Sequence, residues 1–342
     1  MKKITIKEVA KHAGVSIGTV SKVLNDKGYV GKETRERVLD AIKQLNYRVN
    51  ANARSLKAVR TKKVGMIVSD ISNPYLMSIA KTIEDMLRSI GHHMLLMSHN
   101  ENETTERELL QLIVEQRVEA LVLIPTGGNS DIVQEIKQQI PVILVDKRIE
   151  GITTDLIVDD NYYGSYESVS FLSSLGHKRI GVIYGLEKNS VGKERLEGAL
   201  AAIKDFNCSD DKILIKPGEF KADKAYESAT ELLLLPTPPT AIYCCNNTMT
   251  IGLLKAINEQ GLRIPEDISV IAFGDTAQWE LIQPPLTLMT QPLKRIGVEA
   301  AILLKNRLTM DEYFSPKEII MSPELLIRSS CSKPKEIPHK ID

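Results

Sequence analysis

Between Ile6 and Leu45 the apolar residues recur at helical spacing in three short bursts. Ile6, Val9, Ala10 and Ala13 fall at i, i+3, i+4 and i+7, the stripe of a brief amphipathic helix, with Thr5 placed as its N-cap. Gly14 is expected to stop that helix, Val15 to plug the turn, and Ser16 to cap a second helix carrying Val20, Val23 and Leu24 on its inner side. This is the grammar of a helix-turn-helix. A third helix, opened by Lys32-Glu33-Thr34, presents Val38, Leu39, Ile42 and Leu45 to close a small core. The pattern then lapses. The stretch from Asn50 to Lys57 has helix-forming residues but too few apolar ones to fold alone.

From Val64 onward short apolar runs alternate with amphipathic segments. VGMIV, a helix through Ile79 to Leu87, HMLLM, a helix near Leu109, ALVLI, a further helix and PVILV make a first series. After Asp160 a second follows: a helix through Val169 to Leu175, RIGVIY, a helix near Leu200, KILI, a helix near Leu232, TAIYC, a helix from Thr248 to Ile257, and ISVIAF. Strand and helix in strict alternation predict a parallel sheet covered on both faces, so the fold class is α/β, with two doubly wound lobes behind a three-helix domain. Such sheets bind ligands at the carboxyl ends of their strands, and the cleft between the lobes is the default site.

Charge sharpens this division. Met1 to Lys63 holds sixteen Lys/Arg against five acids, a net of +11, while the remainder, with 28 basic and 39 acidic residues, balances it at −11. A segregated basic module beside a helix-turn-helix pattern is the footprint of phosphate-backbone binding. No apolar run approaches the roughly 20 residues of a membrane helix, and no apolar leader follows Lys2-Lys3, so a cytoplasmic protein is expected. Cys208, Cys244, Cys245 and Cys331 have neither zinc nor disulfide spacing. Enzyme signatures are absent: no G-x-G-x-x-G follows a strand, no G-x-S-x-G or H-E-x-x-H occurs, and the stretch Gly185 to Glu194 has the wrong spacing for a P-loop. No cofactor and no catalytic residue is predicted.

TIKEVAKHAGVSIGTVSKVLN and ETRERVLDAIKQLNYRVNANARSL resemble the DNA-binding headpiece of the lactose-repressor family. DISNPY, VDDNYYG, LGHKRIGVI, Arg195 in KERLEGAL, and IGLLKAINEQGLRIPEDISVIAFGD resemble the periplasmic-binding-type sensor of the same family, so the likeness runs to about residue 328. The resemblance implies a helix-turn-helix domain at 1–49, a hinge helix at 50–61, a sensor at 62–330 and a flexible tail at 331–342. The sensor's first lobe would comprise about 62–160 and 291–321, and its second about 161–290 and 322–330. It further implies a homodimer on a palindromic operator, repressing carbohydrate genes under control of a small effector. DNA contacts would come from Thr5, Ser16, Ile17, Gly18, Thr19, Ser21, Lys22, Asn25, Tyr29 and Thr34, and from Asn50, Ala53, Arg54, Leu56 and Lys57 of the hinge, where Leu56 is the minor-groove wedge. Lys22 stands where the family usually has arginine, which removes bidentate guanine reading.

For the effector the resemblance implies Ser69, Asn73, Tyr75, Asp146, Lys147, Arg195, Asn246, Asp275 and Gln291. Amides, a guanidinium and a carboxylate suit a polyhydroxyl ligand. The family's Phe/Tyr-Asp-Asp reads Phe273-Gly274-Asp275 here, and its Asn-Asp pair reads Asn246-Asn247, while Lys147, Arg148 and Arg195 remain. Two lost carboxylates beside retained cations point to a sugar acid or sugar phosphate. The alternative is that Gly274 makes room for a bulkier neutral sugar with Asp275 turned inward.

Overall fold

The computed structural model describes residues 6–25, 29–45, 61–209, 211–274, 279, 281–309 and 315–335. Thr5, Asn50, Ala53, Arg54, Leu56, Lys57 and Asp275 lie outside these, as do nearly all of the hinge segment and residues 336–342. The side chains of Ser21, Leu24 and Asn25 also lie outside the description. The chain divides into two compact units, Met1–Thr61 and Lys62–Asp342.

The first unit contains α1 (Ile6–Ala13), α2 (Ile17–Asn25) and α3 (Lys32–Gln44). Gly14 ends α1 in the left-handed region at φ 64°, and the Val15 amide returns 3.0 Å to the Ala10 carbonyl, which closes the helix as a Schellman turn. The Ser16 hydroxyl then accepts from the Thr19 amide at 3.1 Å and caps α2. Val9, Ala10, Ala13, Val20, Val23, Val38 and Ala41 form the core, with Val15, Val30, Ile42 and Leu45 packed on it. One expectation fails: Leu39 is 50% exposed. The inward stripe of α3 runs Val38, Ala41, Ile42, Leu45, and the small Ala41 lets the helices approach where a leucine would hold them apart.

The second unit begins with β1 (Lys63–Val68), α4 (Pro74–Ser89), β2 (His93–Ser98), α5 (Glu103–Glu115), β3 (Ala120–Leu123), α6 (Ser130–Lys137), β4 (Val142–Val145) and β5 (Asp155–Asp159). The second lobe follows with α7 (Asn161–Ser174), β6 (Ile180–Tyr184), α8 (Ser190–Asp205), β7 (Ile215–Pro217), α9 (Ala222–Leu233), β8 (Ala241–Cys244), α10 (Asn247–Glu259), β9 (Ser269–Phe273) and β10 (Thr287–Thr290). The chain then returns through α11 (Leu293–Thr309) and β11 (Glu318–Met321) to the first lobe, and ends on β12 (Glu324–Leu326) in the second. The sheets run β11-β5-β4-β3-β1-β2 and β12-β10-β9-β8-β6-β7. Every pairing is parallel except β10 with β12. Buried residues of α4 and α11 cover one face of the first sheet, and those of α5 and α6 the other.

β5, β10, β11 and β12 go beyond the two predicted series: β5 falls between them, and the other three follow ISVIAF, on which the second series ended. The expected flexible tail also starts too early. Residues 331–335 are anchored: the Ser332 amide donates to Ser269 Oγ at 3.0 Å, its carbonyl lies 2.9 Å from His177 Nε2, and Lys335 pairs with Asp267 at 2.6 Å. Polar composition suggested freedom, but the backbone groups are committed.

Close helix packing generates a test. A Cβ on Gly252 of α10 would fall 2.0 Å from the Ala222 carbonyl oxygen of α9, a backbone atom that cannot swing away. Gly252→Ala is expected to destabilise the protein by about 1–3 kcal/mol through overpacking, despite alanine's better helix propensity, as read by a denaturant midpoint.

Candidate functional site

A cavity of about 280 Å³ opens at the carboxyl ends of both sheets. Ser69 follows β1, Glu101 lies shortly after β2, Asp146 and Lys147 follow β4, Asn246 comes soon after β8, Phe273 ends β9, and Gln291 follows β10. Tyr75 at the start of α4 and Arg195 in α8 complete the wall. Eight of the nine predicted effector residues therefore line one cavity; the ninth, Asp275, is outside the described residues.

Helix starts fix much of this wall. Asn73 caps α4, its side chain accepting from the Tyr75 amide at 3.1 Å, with Pro74 at the first helical position. Asn246 caps α10 in the same way, accepting from the Met249 amide at 2.7 Å. Both amide oxygens serve the backbone, which leaves the Asn246 amide nitrogen as the group available to a ligand. Asn247 Nδ2 donates to Asn73 Oδ1 across the lobes at 3.2 Å. Asp146 is held in the left-handed region at φ 69°, its amide bonded to the Ile157 carbonyl at 2.8 Å, a conformation that a short polar side chain tolerates.

The charged groups are paired unevenly. Lys147, buried, forms an ion pair with Glu101, whose other oxygen is buried without a partner among the described residues. Arg195, 4% exposed, donates through Nε to Asn161 at 2.8 Å and through Nη1 to the Cys245 carbonyl at 2.6 Å, and its guanidinium stacks 3.6 Å from the Phe273 ring centre. Arg148 points its charge elsewhere, to Glu318 at 2.5 Å and Glu194 at 3.6 Å, and does not line the cavity. Of Lys147, Arg148 and Arg195, only Arg195 has no carboxylate in ion-pair distance among the described residues. The Tyr75 hydroxyl lies 3.0 Å from Asp146 Oδ1 and 3.2 Å from Asp159 Oδ2, and Gln291 Nε2 donates to that same Asp159 oxygen. Burial drives the Tyr75 phenol well above its ordinary range, raises Asp146, and pushes Asp159 up to about 6.

Sequence reasoning missed Glu101, Asp159 and Phe220. Asp159 was legible as a carboxylate closing an apolar run in DLIVD, whereas Glu101 sits in the polar stretch HNENE with nothing to single it out. Phe220 borders the cavity from a loop at φ 59°, beyond any periodic pattern.

In the first unit Ile17 is 42% exposed, Gly18 and Lys22 are exposed, Tyr29 is 95% exposed and Thr34 is half-buried. Ser16 and Thr19 hydroxyls are 2.9 Å apart, so capping engages them already. Among the described residues no helix is long and apolar enough to cross a membrane.

Comparison with known proteins agrees with both halves. Residues 5–50 match bacterial regulatory proteins of the lacI family, and residues 169–331 match the periplasmic binding protein-like domain. The chain is 36% identical over 329 residues to the HTH-type transcriptional repressor PurR of Histophilus somni, covering 95% of this chain and 98% of that one. Among solved structures it is similar to the transcriptional regulator CelR in its cellobiose complex, at 28% identity and TM-score 0.72 over 96% of this chain and 99% of that one. The lac repressor dimer bound to operator and the anti-inducer ONPF shares the fold at 24% identity and TM-score 0.78, covering 97% and 100% of the two chains. The chain thus belongs to the LacI family of bacterial regulatory proteins, DNA-binding transcriptional repressors that carry an effector-binding domain and are not enzymes.

Proposed function

We propose that this repressor acts in the cytoplasm as a homodimer on a palindromic operator, and that a neutral, polyhydroxyl effector of the sugar class sets its affinity there. The regulated genes would then serve the use of that sugar. One observation carries the reading: eight polar residues predicted for effector binding surround one cavity at the strand ends of both lobes. Two-fold symmetry of the reader implies a palindrome, with the exposed start of α2 (Ile17, Gly18 and Lys22) meeting base edges and Ser16 and Thr19 beside the phosphates.

The charge pattern chooses among sugars. The wall carries the carboxylates of Asp146 and Glu101, while Lys147 is spent on Glu101 and Lys221 lies 3.7 Å from Glu219, which leaves Arg195 as the lining cation with no carboxylate in ion-pair distance among the described residues. A ligand's own carboxylate or phosphate would face these carboxylates as a like charge, whereas hydroxyl groups donate to them. CelR, similar over nearly its whole length, was solved with cellobiose, a neutral sugar of this class.

Calorimetric titration of the full chain tests this with neutral mono- and disaccharides, uronic and phosphorylated sugars, and nucleobases. Heat from a neutral sugar is expected; heat only from the anions or nucleobases refutes the ligand class and leaves the repressor assignment standing. On DNA, sites selected from a random-sequence library should be two-fold symmetric. Lys22→Ala should weaken them by about 1–3 kcal/mol per half-site while lowering random-DNA binding far less. Leu56→Ala, at a position outside the described residues, is expected to act likewise if that leucine wedges the minor groove, with random-DNA binding nearly unchanged.

A third expectation follows from the buried ion pair. Lys147→Met strands the Glu101 carboxylate without a counter-charge and should cost about 3–5 kcal/mol near neutral pH, of which Lys147→Met with Glu101→Gln recovers most. Equal stability of the single and double variants in urea would show that Lys147 does not serve Glu101.

A further inference from the structure

Two crossings between the lobes meet in one side-chain bond. Asp159 closes β5 just before the chain leaves the first lobe, Gln291 follows β10 just before it returns, and the Gln291 amide donates to Asp159 Oδ2. The same Oδ2 lies 3.2 Å from the Tyr75 hydroxyl, which in turn lies 3.0 Å from Asp146 Oδ1 in the cavity wall. A phenol carries one proton. It can bridge to one carboxylate, and the second contact is then oxygen against oxygen, repulsive between ionised groups unless another hydrogen fills it.

The surroundings say which carboxyl holds that hydrogen. Burial raises Asp146 as well, but it is flanked by Lys147 and faces Arg195, and both cations oppose that rise by favouring its ionised form. Asp159 is fully enclosed, with Oδ1 buried and without a partner among the described residues. Arg195 acts on it, but that guanidinium is bonded to Asn161 and Cys245. Of the other charged groups nearby, Glu101 acts on Asp146, Glu194 bonds Asn161 and pairs with Arg148 at 3.6 Å, and Asp160 caps α7.

We propose that Asp159 is a proton-dependent positioning residue of the cavity: when it is protonated, Gln291 donates to Asp159 Oδ2, Asp159 donates to Tyr75 and Tyr75 donates to Asp146, and when it ionises the bond from Asp159 to Tyr75 is lost. The chain of bonds ties the crossings to the wall, and it bears on effector response through the reading of this cavity as the effector site. Burial places Asp159 near 6, roughly a hundredfold tighter proton binding than an ordinary aspartate. Because the folded-state value is raised, this contribution to stability is complete below about pH 4 and is lost as pH rises through about 6.

The test follows isotope-labelled aspartate carboxyl carbons by NMR in the full-length protein without ligand, across pH. Asp159 should titrate near 6. Asp146→Asn, which removes the neighbouring negative charge, should lower that midpoint; Gln291→Leu, which removes a donor to the ionised form, should raise it. Opposite shifts in two variants that leave Asp159 in place are not expected of a merely structural aspartate. An Asp159 midpoint near 4, a midpoint unmoved by both variants, or Asp146 titrating in its place overturns the proposal. The titration uses no effector, so its failure leaves the ligand reading intact, and failure of the ligand panel leaves this one intact.

Discussion

The chain passes between the sensor lobes three times, and this threading governs everything built on it. It leaves the first lobe after β5, returns after β10 to lay down α11 and β11, and crosses again to add β12. Each sheet therefore gains its edge strand only after the chain has visited the other lobe, so neither lobe is complete without the crossings. The crossings are also tightly packed: a Cβ on Gly164, at the start of α7, would lie 2.8 Å from both Phe273 and Pro323. Three short links on one side form a hinge and leave the strand ends facing each other. The cavity is a consequence of topology before it is a consequence of any side chain.

Across that hinge the lobes touch through few bonds, and their strengths differ. Lys188 pairs with Glu103 at 3.0 Å, but both side chains are half exposed, so the pair contributes little. The Arg148 amide donates to Ser190 Oγ at 3.0 Å and the Asn247 amide to Asn73 at 3.2 Å, both less exposed. A ligand that contacts both walls adds its differential free energy to these bonds. That is the physical basis on which an effector of modest size can bias the arrangement of the first lobe.

Alternation of strand and helix makes the layered fold legible, and the strand-end rule places the cavity. What stayed hidden depended on burial at single positions. Leu39 and Ala41 have equal claims on a helical stripe until the approach of α1 decides for the smaller side chain. Glu101 became visible only when folding placed it against Lys147, which turned an apparent ligand cation into half of an internal pair. Asp159 had been readable as a strand-end carboxylate, but its tie to Gln291, 132 positions away, is a product of the crossings alone. Local pattern predicts elements well, whereas pairings between distant loops depend on where the elements bring them.

The first unit poses the opposite problem, a reader with little core of its own. The buried residues of α1, α2 and α3 are valines and alanines, with no buried aromatic or leucine among those described. The described part of this core consists of small side chains, and a domain of this size sits near the lower limit of independent stability. It also lies within a segment of net charge +11, whose self-repulsion works against compactness. Operator phosphates relieve that repulsion on binding, so contact with DNA stabilises the fold as well as the complex. Counterion release and folding are then coupled in this unit: added salt weakens DNA binding and, by screening the same charges, eases the repulsion within the free reader. The basic surface that draws the reader to DNA is thus also what keeps it marginal without DNA, and a larger core would weaken that coupling.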